Sequence, residues 1–218
     1  MEELINNLEK CILFKGIEKS LIPPLLNCLE TKIKEYKKSQ LVFQNGCKIN
    51  KCGVLLKGEL QIVQYDYFGN RSILTTIQEN QLFGAAYSLC DLMLPICIEA
   101  SKDSLILFIN THKITAPCKN LCPNHIVLIN NLLSILATKN VNLNQKIECL
   151  SQRTTREKIL NYLTGKSIQN NSKTFEIPYD RQGLADYLCV ERSAMSVEIS
   201  KLQKEGLIKT NKNYFEIC

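Results

Sequence analysis

The sequence predicts an α+β protein with a β-rich N-terminal part, one long helix, and a small C-terminal domain of helices and strands. Short apolar runs separated by turn signals fill the segment from about Lys32 to Ile109. A heptad pattern of apolar residues follows them, which is typical of a long helix. Beyond it the apolar spacing is again that of short helices, and the chain closes on two strand-like runs.

The composition limits the class of protein. A length of 218 residues suits one large domain or two ordinary ones, and a net charge of +6 is compatible with a polyanionic partner without proving one. The 11 cysteines are odd in number and irregularly spaced, which favours reduced thiols over a disulfide framework. There is no run of about 18 apolar residues and no secretory signal, so we expect a cytoplasmic protein that does not bind membranes.

Apolar positions at helical spacing in residues 1–30 predict two or three short helices, and Pro23-Pro24 fits a helix start. The strand-like runs that follow predict an antiparallel roll or sandwich. They begin at Gln40, Gly53, Glu59, Ser72, Cys97 and Leu105, with turn signals at Asn45-Gly46, Lys57-Gly58 and Phe68-Gly69-Asn70.

A helix of about 25 residues, roughly 37 Å long, is predicted to begin near Pro123. Its seam has alternating spacings of four and three residues and consists of Ile129, Leu133, Leu136, Asn140, Leu143, Ile147 and Leu150. Such a seam usually pairs with a second copy, and a buried Asn140 would then fix the register. The alternative is a helix packed on its own roll with Asn140 at the solvent edge.

We place the domain boundary near residue 150. Residues 1–150 then form the β-roll domain with the dimerisation helix at about 123–150, and residues 151–218 form the second domain. The second domain is predicted to open with a short helix over residues 153–166 that Gly165 ends, followed by a loop from Ile168 to Thr174.

The segment from Tyr179 to Ile208 carries the functional signal. Asp180 is an N-cap for a helix over residues 181–188, a tight turn at Cys189-Val190 follows, and a second helix over about 191–205 ends at Gly206. A shared core is predicted from Leu184, Leu188, Val190, Met195, Ile199 and Leu202, with the small Ala185 at the helix crossing. A two-stranded wing turning at residues 211–213 completes the domain.

The second helix keeps short or cationic side chains on its outer face, namely Arg192, Ser193, Ser196, Val197 and Ser200. Side chains of this kind can approach base edges and phosphates. The pattern therefore predicts a winged helix-turn-helix that reads the DNA major groove. The alternative is a helical hairpin used for protein contact.

At these residues the sequence resembles the Crp/Fnr family of bacterial transcription regulators. The resemblance rests on Arg181-Gln182, Leu184-Ala185, Arg192-Ser193 and Gly206-Leu-Ile, and in the roll on Val42-Phe43, Gly46, Gly53-Val-Leu-Leu-Lys-Gly-Glu-Leu and Leu82-Phe83-Gly84. It implies a cyclic-nucleotide-binding-type β-roll, a long dimerisation helix and a winged helix-turn-helix. It also implies a homodimer on a pseudo-palindromic promoter site, with RNA polymerase as a further partner and a role as activator or repressor.

By this resemblance the DNA-binding residues are Arg181, Gln182, Arg192, Ser193, Ser196, Val197, Ser200 and Lys201. Many members carry Glu where this chain has Ser193 and Arg where it has Val197, so the usual consensus site is not transferred. Arg192 could contact a guanine or a phosphate, and we favour the base contact.

The resemblance argues against cAMP as the effector. Members that bind cAMP hold the ribose with a Glu just after the roll glycine and the phosphate with an Arg-Ser or Arg-Thr pair. Here Gly84 is followed by Ala85-Ala86, and the later pair is Pro95-Ile96. The sequence predicts an apolar effector pocket formed by Phe83, Gly84, Ala85, Tyr87, Leu94 and Ile96. It either takes another small molecule or is vestigial.

Cys118, Cys122 and His125 lie just before the long helix and could ligate a metal, an iron–sulfur cluster or haem iron. Cys90 and Cys97 could add ligands. The alternative is that the two thiols are packed and His125 is a helix-start residue.

An enzyme is not expected. The sequence has two histidines and no evident nucleophile–base pair, glycine-rich phosphate loop or paired carboxylates. The competing classes are a redox enzyme or small-molecule receptor without a DNA role, and a regulator that acts by abundance without a ligand.

Overall fold

The computed structural model describes residues 2–65, 67–68, 71–116 and 123–218. The chain divides into two compact units, Met1–Ala137 and Thr138–Cys218, so the division falls within the long helix. The boundary near residue 150 assigned from the sequence stays a prediction. The two units are described separately.

The helices and strands alternate in blocks along the chain. The helices are α1 Glu2–Lys10, α2 Ile22–Cys28, α3 Ala85–Leu89, α4 Thr111–Thr115, α5 Pro123–Leu150, α6 Thr155–Asn170, α7 Arg181–Leu188 and α8 Arg192–Lys204. Short 3-10 helices cover Ile12–Phe14 and Lys19–Leu21. The strands are β1 Lys32–Tyr36, β2 Leu41–Phe43, β3 Lys51–Lys57, β4 Leu60–Tyr65, β5 Arg71–Ile77, β6 Leu82–Phe83, β7 Cys97–Ala100, β8 Ser104–Asn110, β9 Thr174–Glu176, β10 Ile208–Asn211 and β11 Tyr214–Ile217.

Two antiparallel four-stranded sheets form the roll of the first unit, in the orders β1-β8-β3-β6 and β2-β7-β4-β5. Strands β3 and β8 are buried on both faces, which explains their nearly continuous apolar sequences. Leu55 and Phe108 point into the core between the sheets, whereas Val54 and Leu107 point into a second core under the helices. Leu128 and Leu132 of α5 complete that second core.

Gly53 permits a close approach inside the roll. It pairs with Phe83 across β3 and β6, and a Cβ on Gly53 would lie 2.2 Å from Phe83 Cζ. Only glycine fits beneath this ring, which in turn packs edge-on against Phe43. The position of the effector-region residue Phe83 is therefore set by a glycine on the neighbouring strand.

In the second unit, α6 extends further than the helix over residues 153–166 that was predicted from the sequence. A capping box between Thr154 and Glu157 starts it, and it continues past Gly165 to Asn170. The helix stops where Asn171 takes a left-handed conformation, with φ of 46°. The predicted stop at Gly165 and the loop from residue 168 are wrong, because an asparagine also tolerates the left-handed C-terminal position.

The structure confirms the strand-like runs and the helix start at Pro123, and it adds strands that the sequence analysis missed. Strand β1 has four exposed residues of five, so it shows little apolar alternation. Strands β6 and β9 have two and three residues, too few for a period to be visible. Each of the three is held by pairing with longer neighbours, which a local pattern does not reveal.

Candidate nucleic-acid interface

Helices α7 and α8 form a helix-turn-helix whose ends are fixed by hydrogen bonds. Asp180 Oδ1 accepts from the Gly183 amide at 2.7 Å and starts α7. Cys189 ends α7 in the left-handed region, with φ of 50°, and the Val190 amide donates to the Ala185 carbonyl at 3.0 Å. The predicted N-cap, turn and second helix are confirmed.

The inner face of α8 is fixed by a buried core. Apolar side chains of the two helices meet there with residues of α6 and the wing. Of the predicted set, Leu184, Leu188, Met195, Ile199 and Leu202 are fully or almost fully buried, whereas Val190 is partly buried against the same core. Ala185 is also completely buried, as expected for a small residue between packed helices. With this face buried, the opposite face of α8 is presented to solvent.

The outer face of α8 has the residues assigned to DNA contact from the sequence. Arg192, Ser193, Val197, Ser200 and Lys201 are exposed, and Ser196 is partly so. Of these, Val197 places an apolar side chain, 54% exposed, in the middle of the face.

The hydroxyl groups on this face already donate hydrogen bonds. Ser196 Oγ donates to the Arg192 carbonyl and Ser200 Oγ to the Ser196 carbonyl, both at 2.9 Å. Ser193 Oγ lies against a carboxylate oxygen of Glu191. Lys201 forms an ion pair with Glu198 one turn earlier.

Glu191 is the N-cap of α8, whereas the predicted helix over about 191–205 had included it as a helical residue. Its carboxylate accepts from the Ser193 and Ala194 amides at 3.0 and 2.8 Å. Hydrogen bonds from the Ser193 side chain, and then from these two amides, hold the pKa of Glu191 below its usual range. An acidic residue directly before a helix of short polar residues was the available signal.

Arg181 points to the wing rather than into solvent. Its guanidinium donates to Thr210 Oγ1 at 3.0 Å and lies 5.0 Å from the ring centre of Phe215. Burial lowers the pKa of this guanidinium. Gln182 Nε2 donates to Asp186 Oδ1 on the next turn, at 2.8 Å. These bonds give both residues a role in building the domain, and their proposed contact with DNA stays a prediction.

The wing is the hairpin of β10 and β11, extended by β9 into a three-stranded sheet. Lys212 turns the hairpin with a φ of 54°, and Asn213 Nδ2 donates to Glu176 Oε1 at 2.6 Å. An open cleft of about 910 Å³ runs beside the wing tip to the start of α8. Its polar and charged lining residues are Glu176, Asp180, Arg181, Gln182, Arg192, Lys212 and Asn213.

The seam residues of α5 differ in their burial. Ile129 and Leu136 are partly buried against the core of the first unit. Leu133, Leu143 and Ile147 are 59%, 60% and 64% exposed. Asn140 is exposed and accepts a hydrogen bond from Asn144 at 2.9 Å. By length and composition alone, Asn124–Leu150 is also apolar enough to cross a membrane.

Two domain families match the chain in succession. The cyclic nucleotide-binding domain matches residues 33–120, and the Crp-like helix-turn-helix domain matches residues 156–218. The chain belongs to the Crp/Fnr family of transcription regulators. It is therefore a Crp-like transcription regulator with a cyclic-nucleotide-binding-type domain and a DNA-binding helix-turn-helix.

Solved structures share this fold at low sequence identity. The Thermus thermophilus catabolite activator protein has 18% identity and a TM-score of 0.56, with 95% of this chain and 93% of that one covered. CprK with OCPA bound has 14% identity and a TM-score of 0.63, with 89% and 88% covered. The c-di-GMP-responsive regulator CLP of Xanthomonas campestris has 14% identity and a TM-score of 0.54, with 92% and 99% covered. No curated protein matches the sequence.

Most of the predicted effector residues of this Crp/Fnr chain pack in or against the hydrophobic cores of the first unit. Phe83 is buried in the core between the sheets, and Tyr87 and Ile96 pack against that core partly buried. Gly84 has a φ of 76° and precedes α3, whereas Ala85 is buried in the core under the helices. The predicted pocket residues thus come from residues 83–87 and from the later Leu94 and Ile96, and they face two different cores.

The suspected metal ligands are only partly described. Cys118 and Cys122 lie outside the described residues. His125 is 5% exposed, its Nε2 lies 3.9 Å from Cys28 Sγ, and its Nδ1 has no hydrogen-bond partner among the described residues. Within 2–65, 67–68, 71–116 and 123–218, no three His, Cys, Asp or Glu residues come together as a metal site.

The contacts of Arg181 predict a structural role that substitution reveals. Arg181→Ala should lower the free energy of opening of the wing by about 1–2 kcal/mol, because a hydrogen bond and a cation–π contact are lost. Peptide-level hydrogen exchange of β10 and β11 measures this directly. Arg192→Ala, which removes an exposed guanidinium, is the control and should leave wing exchange unchanged. Equal exchange in the two variants would contradict the assignment.

Proposed function

We propose that this regulator is a homodimer that binds a pseudo-palindromic promoter site with one α8 in the major groove of each half-site. The observation that carries the proposal is the outer face of α8. A buried core fixes its inner side, and Arg192 and the serines are left exposed on the other. The DNA-contact set is Arg181, Gln182, Arg192, Ser193, Ser196, Val197, Ser200 and Lys201.

The exposed seam of α5 supports the homodimer. Leu133, Leu143 and Ile147 are large apolar side chains left in water along one helix, and a second copy of the helix would bury them. Pairing brings the Asn140 side chains of the two copies together, where their amides can hydrogen-bond. We assign the apolar character of α5 to this pairing rather than to lipid, and we expect a cytoplasmic protein.

The signal is proposed to be something other than cAMP. Positions 85, 95 and 96 are Ala, Pro and Ile, so they provide neither a carboxylate for a ribose nor a cation for a cyclic phosphate. We assign the effector region to Phe83, Gly84, Ala85, Tyr87 and Ile96. We expect no enzymatic activity, and RNA polymerase is the further partner that the family suggests.

Arg192 provides the first test of base reading. Arg192→Ala should weaken binding to the promoter site by about 1–3 kcal/mol, because a bidentate guanine contact is lost, and should weaken binding to random DNA far less. Fluorescence anisotropy with both duplexes measures the two affinities. The control is Lys204→Ala, in the last turn of α8, which should weaken both duplexes alike. If Arg192→Ala weakens binding to both duplexes equally, Arg192 contacts a phosphate and not a base.

Two exposed isoleucines test the dimer. Ile147→Glu should produce monomers and lower the affinity for a full site by about 100-fold or more, since two linked half-sites bind far more tightly than one. Ile168→Glu is the matched control, since Ile168 is 75% exposed on α6, and should change neither property. Analytical ultracentrifugation and anisotropy provide the readouts. If the wild-type protein is monomeric and binds no DNA from the region upstream of its own gene, both the proposed homodimer and the proposed DNA binding are refuted.

His125 favours a second candidate, a metal- or redox-responsive regulator. A buried imidazole whose Nδ1 has no partner among the described residues, with a thiol nearby, has donor groups suited to a metal, an iron–sulfur cluster or haem iron. Cys118 and Cys122 are the further candidate ligands named from the sequence.

Purification without air, followed by an absorption spectrum and metal analysis, tests the second candidate. Bound metal or a cluster should appear in the wild type and be lost in His125→Ala but kept in His112→Ala, since His112 is the other, exposed histidine. A colourless, metal-free protein whose DNA affinity is the same with and without air would exclude this candidate and leave the first one intact.

A further inference from the structure

The N-terminus of α8 is closed by the chain's own carboxylate. Glu191 is exposed, and it accepts hydrogen bonds from the Ser193 amide at 3.0 Å, from the Ala194 amide at 2.8 Å and from the Ser193 hydroxyl. Free amides at a helix N-terminus are a natural site for a DNA phosphate. Here two of them are already used, and a phosphate at this end would also meet a negative charge.

The carboxylate still has acceptor capacity. Its two oxygens have about four lone-pair sites in total, and the three hydrogen bonds of the described structure leave room for one more donor. Apart from Ser193, the neighbouring hydroxyls do not compete for it. Those of Ser196 and Ser200 donate to helix carbonyls, so the serines offer lone pairs to a partner. Beside Arg192, this part of the outer face presents mainly acceptors.

Acceptors select among the bases in the major groove. Guanine and thymine present only acceptors to hydrogen bonds there, whereas cytosine presents its N4 amino group as a donor. Adenine also has a donor, N6, but N7 beside it is an acceptor that would repel a carboxylate. Cytosine N4 is therefore the partner that best fits Glu191.

We propose that Glu191 is a specificity-determining residue, which accepts a hydrogen bond from cytosine N4 in each half-site and keeps phosphate away from the N-terminus of α8. This inference rests on the proposed function, since it requires α8 to enter the major groove. It also gives the chain a means of base selection at a position outside the set assigned from the sequence.

The test is selection of binding sites from a randomised duplex library by the full-length protein, prepared with and without air. The wild type should select cytosine at one position of each half-site. Glu191→Gln keeps the size of the side chain, but its amide group can also donate a hydrogen bond. Glu191→Ser keeps a good helix N-cap, but its side chain is too short to reach a base edge. Both variants should reduce the preference for cytosine at that position by about tenfold. Both should bind random DNA more tightly, because a negative charge is removed.

Glu198→Gln is the matched control, since it removes the same charge from the same helix. It should strengthen binding to random DNA while keeping the selected base. An unchanged cytosine preference in a folded Glu191→Ser protein would overturn the inference and leave the proposed function standing. If the wild type selects no sequence under either condition, the proposed function fails and the inference fails with it.

Discussion

Burial of one face of α8 is the constraint on which the proposed DNA-reading surface depends. Met195, Ile199 and Leu202 recur at spacings of four and three, and all three are buried against α7, α6 and the wing. In a helix each residue turns the next by about 100°. Shifting the buried set by a single position would therefore turn Arg192 and Val197 away from their present face. The small, fully buried Ala185 is part of the same constraint, since a bulkier side chain would require the packed helices to separate.

Hydrogen bonds then fix the parts of the helix-turn-helix that the buried core does not hold in place. Glu191 secures the first turn of α8, and Arg181 joins α7 to the wing through Thr210 and Phe215. Groups fixed before binding lose less conformational freedom when they meet DNA. This preorganisation uses residues of the very type expected to contact DNA, so a charged side chain near the interface is not automatically a contact. Arg181 illustrates the point, because its guanidinium is occupied by the wing in the described structure.

Local sequence signals were sufficient where the structure is determined locally. Asp180 as an N-cap, Gly206 after the second helix and the apolar spacing of α8 predicted the helix-turn-helix and its buried core correctly. Local signals failed where pairing or distant contacts decide. Strand β1 is mostly exposed and is held by β8. The end of α6 was predicted wrongly for a local reason, because Asn171 rather than Gly165 takes the left-handed conformation that ends the helix. The hydrogen bond from Arg181 to Thr210 joins residues 29 positions apart, and a short sequence pattern does not reveal such a contact.

The α5 helix shows why burial and periodicity must be considered together. Its Leu128 and Leu132 are buried in the core of the first unit, whereas Leu133 and Ile147 are left largely in water. A helix that is apolar on more than one side needs more than one partner to cover it. Lipid fits this second side poorly, because exposed asparagines such as Asn140 and Asn144 would have to lose water without a full set of partners. A second protein helix can bury the apolar side chains while leaving such amides hydrated at its rim or paired with each other.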